Sequence, residues 1–245
     1  MSFSWIRVRA ILIKELQDYR RNRFVIVFAM TILPLLFIAA PTIQLLTAPA
    51  VVSSSQLNAR IGAALLYMLL IPAIVPSTLS AYSVVGEREQ GTLEPILITP
   101  ISREEFLTGK ALAVFIPTLV IAYTVFGLFL AIAALFAHHG IESAIFAGSH
   151  IPVQLAFTPL LAGWSIWVGI AISARSSDAR AAQQLSVLAN LPPLVIVALM
   201  TFNVITRSTG VAIGLAALLL LFDVLGWRAV AGMFDRERLI TGRRP

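Results

Sequence analysis

Six long stretches of this chain contain no Asp, Glu, Lys or Arg, and this feature limits the possible folds more than any other. A helix needs about 20 mostly apolar residues to cross a lipid bilayer, and each stretch supplies one such helix or most of one. Only 12% of the residues are charged and 58% are hydrophobic, whereas a typical soluble domain has about 25% charged residues. The charge-free stretches are 24–59, 61–86, 111–141, 143–174, 181–206 and 208–222.

These stretches predict an all-α integral membrane protein with a single membrane domain, 1–245. An up-and-down bundle of six helices is the economical fold, because a bilayer requires backbone polar groups to be paired internally and no strand-like alternation is sustained. We divide the chain into a leader 1–23, a membrane region 24–233 with a polar loop 86–110, and a tail 234–245. The predicted spans are Phe24–Leu46, Ile61–Val85, Ala111–Phe136, Ile151–Ser173, Leu185–Ile205 and Gly210–Val230.

The basic residues predict the orientation. Of the 18 Lys and Arg residues, all but Arg60 and Arg207 fall on one side, in the leader, the loop 86–110, the connection 174–184 and the C-terminal end. The positive-inside rule then places both termini in the cytoplasm, in a multi-pass protein of the plasma or inner membrane. Topology accounts for the basic residues, so we expect no nucleic-acid partner. A cleavable signal peptide is the alternative for the first span, but its basic leader and apolar stretch are both too long.

The leader has the pattern of an amphipathic helix over residues 2–22. Its apolar stripe consists of Trp5, Val8, Leu12, Leu16 and Tyr19. The charged residues Arg7, Lys14, Asp18 and Arg21 lie away from that stripe. The pattern predicts a helix in the cytoplasmic interface, with its cations near anionic membrane lipids. The alternative is a basic leader that only fixes the orientation.

The loop between the second and third spans is the most informative polar segment. Residues 86–105 hold five of the twelve carboxylates. Leu93, Ile96 and Leu97 share one helical face, Thr99-Pro100 would end that helix, and Ser102 with Glu105 predicts a capping box for the next one. A short helix held between two spans suits docking to a soluble partner, which could then push on the membrane region. A solvated turn is the alternative.

The same loop carries a sequence pattern that is similar to the membrane subunits of ABC exporters of the ABC-2 class. The pattern is Gly86-Glu87-Arg88-Glu89-x-Gly91-Thr92-Leu93-Glu94-x-Ile96-Leu97-x-Thr99-Pro100-x-Ser102, followed by Gly109-Lys110. The Lys14-Glu15-Leu16 segment and the tail 234–239 also resemble that family. The loops on the non-cytoplasmic side, such as 138–150, are short, so the large external domain of some relatives is missing here.

This resemblance implies an export pathway made by two six-span subunits, either a homodimer or a pair with a sibling permease. Two cytoplasmic ATP-binding subunits would drive it. The loop would form the coupling helix that seats on the ATPase. The contact and transmission residues at matching positions are Glu87, Arg88, Glu89, Gly91, Thr92, Leu93 and Glu94.

The sequence itself lacks the phosphate-binding motif G-x-x-x-x-G-K-[ST]. Gly109-Lys110 has Glu104 where the first glycine belongs and Ala111 where the Ser or Thr belongs. We therefore expect no cofactor in this chain, with ATP and Mg²⁺ bound by the partner ATPase. We also expect that the chain is not itself an enzyme, since the apolar spans contain neither a G-x-S-x-G motif nor paired carboxylates.

A few residues inside or near the spans are further candidates. Asp223 is the carboxylate that we place within a span, where it has either a structural or a transport role. Pro72 and Pro76 lie one turn apart next to the loop and form a possible hinge. His138 and His139 lie near Glu142, but adjacent histidines do not share a helical face, so a solvated loop is favoured over a metal site.

The alternatives to an ATP-driven permease have weaker support. An ion-coupled secondary transporter would use Asp223, but it needs ion sites at the midplane and usually internal repeats. A channel needs a selectivity filter or a ring of charge, and the sequence shows neither. The identity of the substrate does not follow from the residues.

Overall fold

The computed structural model describes residues 3–23, 25–47, 54–89, 91, 101–137, 142, 144–146, 150–201 and 209–233. Every regular element in these ranges is helical, which confirms the all-α fold. A π-helical segment, Val25–Ile32, precedes α2 and continues directly into it. The α-helices are α1 (Trp5–Arg21), α2 (Leu33–Leu46), α3 (Ser54–Glu89), α4 (Arg103–Phe136), α5 (His150–Arg175), α6 (Ala179–Leu188), α7 (Leu191–Thr201) and α8 (Thr209–Met233).

Within the described ranges, the helices are long and apolar enough to cross a membrane at six places, which confirms the predicted number. The candidate spans are Ala29–Leu46, Gln56–Glu89, Arg103–Phe136, His150–Arg175, Ala179–Met200 and Gly210–Met233. The second and third are longer than predicted at the end of the bundle that carries α1, which we call the α1 end. Helix α3 continues past Val85 to Glu89, and α4 already begins at Arg103, because the charged side chains there have partners within the chain.

The capping box predicted at the start of α4 is present. The Ser102 hydroxyl accepts a hydrogen bond from the Glu105 backbone N–H at 3.3 Å, and the Glu105 carboxylate accepts one from the Ser102 N–H at 2.9 Å. Two of the N–H groups that lack partners at a helix start are thereby satisfied. This local interaction explains why α4 begins eight residues before Ala111, where we expected the span to start.

The fifth span differs from the prediction of one helix, Leu185–Ile205, after a polar connection 174–184. Only residues 176–178 connect α5 to α6, because the Asp178 carboxylate caps α6 by accepting hydrogen bonds from the N–H groups of Arg180 and Ala181. A turn at Ala189–Asn190 then separates α6 from α7. Pro192 and Pro193 lack the N–H groups that a continuous helix would need, so the span is built from two helices.

The first span also differs from the single α-helix that we predicted, because it starts as the π-helical segment. The change to α-helical geometry at Leu33 is next to Pro34. Pro34 lacks the N–H that would bond the Met30 carbonyl in an α-helix, and an interrupted ladder of this kind is where π-helical turns are tolerated.

Helix α1 is amphipathic as predicted, but its buried face is rotated from the predicted stripe. Val8, Ile11 and Glu15 are buried, whereas Trp5 is 66% exposed. The physical reason lies on α4, where Gly109 has no side chain, and an added Cβ there would lie 2.7 Å from Ile11 Cβ. The close approach turns Ile11 inward and brings the charged residues of α1 to α4.

Small and hydroxyl side chains allow α3 and α5 to pack along their length. Gly169 of α5 faces Ser80 of α3 so closely that no side chain would fit. The Ser173 hydroxyl oxygen accepts hydrogen bonds from the N–H groups of Val84 and Val85 at 3.1 and 3.0 Å. Helix α3 is the most deeply buried of the six candidate spans, so it occupies the centre of the bundle.

The two prolines of the predicted hinge, Pro72 and Pro76, are both buried inside α3, which stays helical through them. Pro76 has no N–H, so the Pro72 carbonyl lacks its usual partner one turn along. The Ser165 hydroxyl of α5 lies 3.3 Å from that carbonyl oxygen. The hinge therefore stays a prediction, and the site where it would bend is in contact with α5.

Candidate functional site at the α1 end

Four charged side chains from three helices meet at the α1 end and form what we call the ion cluster: Lys14 and Glu15 of α1, Glu87 of α3 and Lys110 of α4. The Lys110 ammonium lies 2.9 Å from a carboxylate oxygen of Glu15 and 2.9 Å from one of Glu87. Lys14 lies 3.0 Å from the same Glu87 oxygen and 3.2 Å from Glu15. Two ammonium groups thus face two carboxylates.

The centre of the ion cluster is removed from solvent. Lys110 is 1% exposed, Glu15 6% and Glu87 7%, and the Lys110 ammonium also donates a hydrogen bond to the Ser83 carbonyl at 2.8 Å. Burial of a single charge is very costly unless it is paired and hydrogen-bonded. The four side chains therefore depend on one another, and α1, α3 and α4 are held in one relative position.

The charges of the ion cluster shift the pKa of its α1 members in opposite directions. Burial alone would raise the pKa of Glu15, but the Lys110 and Lys14 ammonium groups outweigh it, so the pKa is lowered. For Lys14, burial lowers the pKa, whereas the Glu15 and Glu87 carboxylates raise it well above its ordinary value. Both groups are therefore charged at neutral pH.

A second ion pair fixes the first turn of α1 to the first turn of α4. The Arg7 guanidinium donates to both oxygens of the buried Glu105 carboxylate, at 2.8 and 2.7 Å, in a two-point contact. The Ser4 backbone N–H donates to the same carboxylate. With Gly109 between them, the Arg7–Glu105 pair and the ion cluster hold α1 along two turns of α4. The sequence predicts that Arg7 and Lys14 lie near lipid headgroups. They do not, because carboxylates of the bundle bind them.

The residues that follow Glu87 connect α3 to two further helices. The Arg88 guanidinium donates to the Ala174 and Ser176 carbonyls at the end of α5, at 3.3 and 3.0 Å. The Glu89 carboxylate accepts a hydrogen bond from the Ala179 N–H at the start of α6, at 3.0 Å. Helix ends leave carbonyl and N–H groups without partners inside the helix, and these two side chains satisfy some of them. Three consecutive residues thus contact four helices besides their own.

The structure describes some of the predicted coupling residues. Glu87, Arg88 and Glu89 make the contacts above, and Gly91 is exposed with φ = 67°, a left-handed conformation that favours glycine. Thr92, Leu93 and Glu94 lie outside the described residues, as does the amphipathic segment up to Pro100. Their role as the surface that contacts an ATPase stays a prediction.

A cleft of about 560 Å³ adjoins the ion cluster between α1, α3 and α6. Its lining combines cluster residues with Tyr19, Tyr82 and Gln183. Burial raises the pKa of Tyr19 well above its ordinary value, and the carboxylates of Glu15 and Glu87 raise it further. Tyr19 is therefore a neutral wall of the cleft at physiological pH.

Asp223 lies away from the α1 end, in α8. Its carboxylate accepts a hydrogen bond from the Trp167 indole N–H of α5 at 3.1 Å. Gly163 makes room for the carboxylate, because an added Cβ there would lie 2.9 Å from Asp223 Oδ2. Asp223 is therefore half-buried between α5 and α8, and it is not part of the ion cluster.

No group of three or more potential metal ligands occurs among the residues that the structure describes. His138 and His139 are outside those residues, and Glu142 and His150 lie within them. The expectation that this loop is solvated and is not a metal site therefore stays a prediction.

Sequence reasoning missed the internal partners of the ion cluster. It assigned Glu87 to a partner surface and Lys14 to lipid, and it treated Lys110 and Glu105 only as parts of local motifs. One usable signal was Lys110 itself, a single cation at the start of a long apolar helix, because a cation at such a position usually has a partner.

Comparison with known proteins identifies the family of the chain. Residues 9–236 match the model of the ABC-2 family transporter proteins. A comparison with curated proteins finds no match to this chain. The family match covers the ion cluster, all six candidate spans and the loop between α3 and α4. The chain therefore belongs to the ABC-2 transporter family.

Proposed function

We propose that this chain is the permease subunit of an ATP-driven ABC exporter, which forms the translocation pathway and is driven by a separate ATP-binding subunit. Family membership supports a transport component in a membrane. The observation that carries the coupling part of the proposal is the ion cluster. It joins three segments that are distant in sequence, 14–15, 87 and 110, at the one end of the bundle where the loop 90–102 begins and ends.

The geometry of the α1 end explains how a push on that loop would reach the membrane region. The loop connects the end of α3 to the start of α4, and both ends are locked to α1 by the ion cluster and by the Arg7–Glu105 pair. Arg88 and Glu89 connect the same point to α5 and α6. A displacement of the loop would therefore move several spans together, since buried charges cannot be separated cheaply.

This mechanism gives the predicted residues two different tasks. Glu94, with Thr92 and Leu93, would contact the ATP-binding subunit, whereas Glu87, Arg88 and Glu89 would transmit the movement. The proposed assembly has two ATP-binding subunits that hold ATP and Mg²⁺, and a second permease copy or a sibling permease. The bias of basic residues supports a cytoplasmic α1 end with both termini inside.

The test is affinity purification of the chain in mild detergent from its own host, followed by measurement of ATP hydrolysis by the purified complex in lipid nanodiscs. We expect an ATP-binding subunit to copurify with the wild type. It should be lost from Glu94→Ala, which removes the proposed contact. Glu87→Gln should retain the partner but lose the dependence of ATP hydrolysis on the permease.

A matched control is Glu104→Gln, because Glu104 is an exposed carboxylate on the same side that makes no contact with the ion cluster. It should retain both the partner and the hydrolysis rate. The proposal fails if no nucleotide-binding partner copurifies with the wild type. The division of tasks fails if Glu87→Gln and Glu94→Ala have the same effect.

Ion-coupled transport through Asp223 is the second candidate, and the position of that carboxylate within a span is what favours it. In vesicles, a protonophore would abolish ion-coupled transport and leave ATP-driven transport intact. ATP depletion at a constant ion gradient would have the opposite effect.

A further inference from the structure

We propose that the groove around Asp223 binds a monovalent organic cation with an apolar body. The groove lies between α4, α5 and α8 and has a volume of about 440 Å³. Small-molecule pockets typically have about 300–1,000 Å³, so a ligand of several rings fits. The proposal concerns binding at this site, and it does not depend on whether ATP drives the transporter.

The carboxylate of Asp223 has unused capacity for a ligand. Its Oδ1 accepts the hydrogen bond from Trp167, and a carboxylate has about four acceptor positions. In the part of the chain that the structure describes, Asp223 makes no ion pair, and Oδ2 has no hydrogen-bond donor. Carboxylates inside a membrane are costly and usually pair with a cation. A cationic ligand would supply the missing partner.

Glycines hold the carboxylate at the wall of the groove. Gly163 of α5 leaves the space in which Asp223 Oδ2 lies, and Gly226 of α8 leaves the space for the Trp167 indole. The two helices therefore approach closely on both sides of the hydrogen bond. The second oxygen of the carboxylate therefore lies against Gly163, and both residues line the groove.

Aromatic side chains form much of the remaining wall. Phe115, Trp167 and Trp227 line the groove, and Trp164 packs edge-on against Trp167 with 5.0 Å between the ring centroids. The face of an aromatic ring attracts a cation within about 6 Å, most strongly when both are removed from water. One carboxylate among aromatic faces selects an organic cation over a neutral or anionic molecule of the same size.

The bilayer gives access to this groove from the side of α8. Helix α8 packs mainly against α5, and Leu221, Val224 and Leu225 on its outer face are exposed. In a membrane those side chains contact lipid wherever no second subunit covers them. A cation that partitions into the bilayer would therefore reach Asp223 along the flank of α8.

Arg228 is the other charged residue of the groove lining. It is exposed, about 7.5 Å from Asp223 along the helix axis at about 1.5 Å per residue, and the structure shows no ion pair between them. Its positive charge opposes a cationic ligand. Removal of that charge should therefore strengthen binding.

The test uses tetraphenylphosphonium as the probe and the full chain in nanodiscs of zwitterionic lipid, with binding measured by equilibrium dialysis and by tryptophan fluorescence. We expect saturable binding of one cation per chain. Asp223→Asn keeps an acceptor oxygen for the Trp167 N–H but removes the charge, and it should weaken binding by about tenfold or more. Tetraphenylborate, which matches the probe in size but is an anion, should show no saturable binding when it is dialysed alone.

Two further variants make the result decisive. Asp178→Asn removes a carboxylate that does not line the groove and keeps a good N-cap, so it should bind like the wild type. Arg228→Gln alters an exposed side chain and should bind the cation several-fold more tightly, which tests the proposal even if Asp223→Asn fails to fold. Unchanged affinity in Asp223→Asn or in Arg228→Gln would overturn the proposal, as would equal binding of the borate anion.

Discussion

Replacement of Lys110 by Met tests the physical basis of the ion cluster. The substitution keeps a long apolar side chain and removes the ammonium group, which contacts Glu15 and Glu87 at 2.9 Å each and the Ser83 carbonyl at 2.8 Å. Of the two ammonium groups in the ion cluster, Glu15 and Glu87 would then keep Lys14, whose side chain is 47% exposed. Removal of one member of a buried ion pair costs about 3–5 kcal/mol, because the other charge stays buried without a partner. We expect a loss of that size for Lys110→Met.

The loss is measured by unfolding the purified protein with SDS in mixed micelles and following tryptophan fluorescence. Lys14→Met is the matched control, since it removes the same charge from the exposed side of the ion cluster. Because solvent screens Lys14, that change should cost about 1 kcal/mol or less.

A double variant separates lost charge balance from lost packing. Lys110→Met with Glu15→Gln leaves one carboxylate and one ammonium in the ion cluster, Glu87 and Lys14, at 3.0 Å. It should be more stable than Lys110→Met alone. The reasoning is refuted if Lys110→Met costs no more than Lys14→Met, or if the second substitution adds to the loss.

Three further predictions concern other parts of the bundle. Gly109→Val should detach α1, since even its Cβ would lie 2.7 Å from Ile11 Cβ. Limited proteolysis after the arginines of α1 should then become faster. The control is Gly127→Ala, where an added Cβ has no neighbour within 4 Å, and it should be as resistant to proteolysis as the wild type. The stabilisation from the lowered pKa of Glu15 is fully present above the ordinary glutamate pKa of about 4.3. It is lost as the pH falls through the lower pKa of the folded state. SDS unfolding at pH 7 and pH 3 should show this loss of stability in the wild type and a smaller loss in Glu15→Gln. Ser173→Ala removes the acceptor for the Val84 and Val85 N–H groups and should cost about 0.6–2 kcal/mol in the same unfolding assay.

The six-span fold could be predicted from sequence because it depends on one local property. A stretch without charges is visible residue by residue, and a bilayer admits few alternatives to a helix there. The capping box at Ser102 and Glu105 was predictable for the same reason, since both partners lie within one turn. The helix ends that carry charged residues were less predictable. Helix α3 extends beyond Val85, and α4 begins before Ala111, because side chains distant in sequence pair with the charged residues there.

The ion cluster could not be derived from spacing, because its members are far apart in the chain. Glu15 and Lys110 are separated by 95 positions, and Lys14 and Glu87 by 73. Periodicity predicted that α1 is amphipathic, but it could not indicate that Gly109 would draw Ile11 inward and rotate the buried face. The resemblance to a family pointed to three motifs that contain the members of the ion cluster, although it did not show that these motifs contact each other.

The contacts of Glu87, Arg88 and Glu89 suggest why a charged motif is used at a point where apolar packing would be as stable. A buried ion cluster adds little net stability, because desolvation offsets most of the attraction between the charges. It does fix which partners meet, since any sliding of α1, α3 or α4 would leave a charge unpaired. Apolar side chains would tolerate such sliding, and a displacement of one helix would then not move its neighbours. In the proposed mechanism, the loop has to pass movement into several spans, so resistance to sliding matters more there than stability, and the ion cluster would supply that resistance.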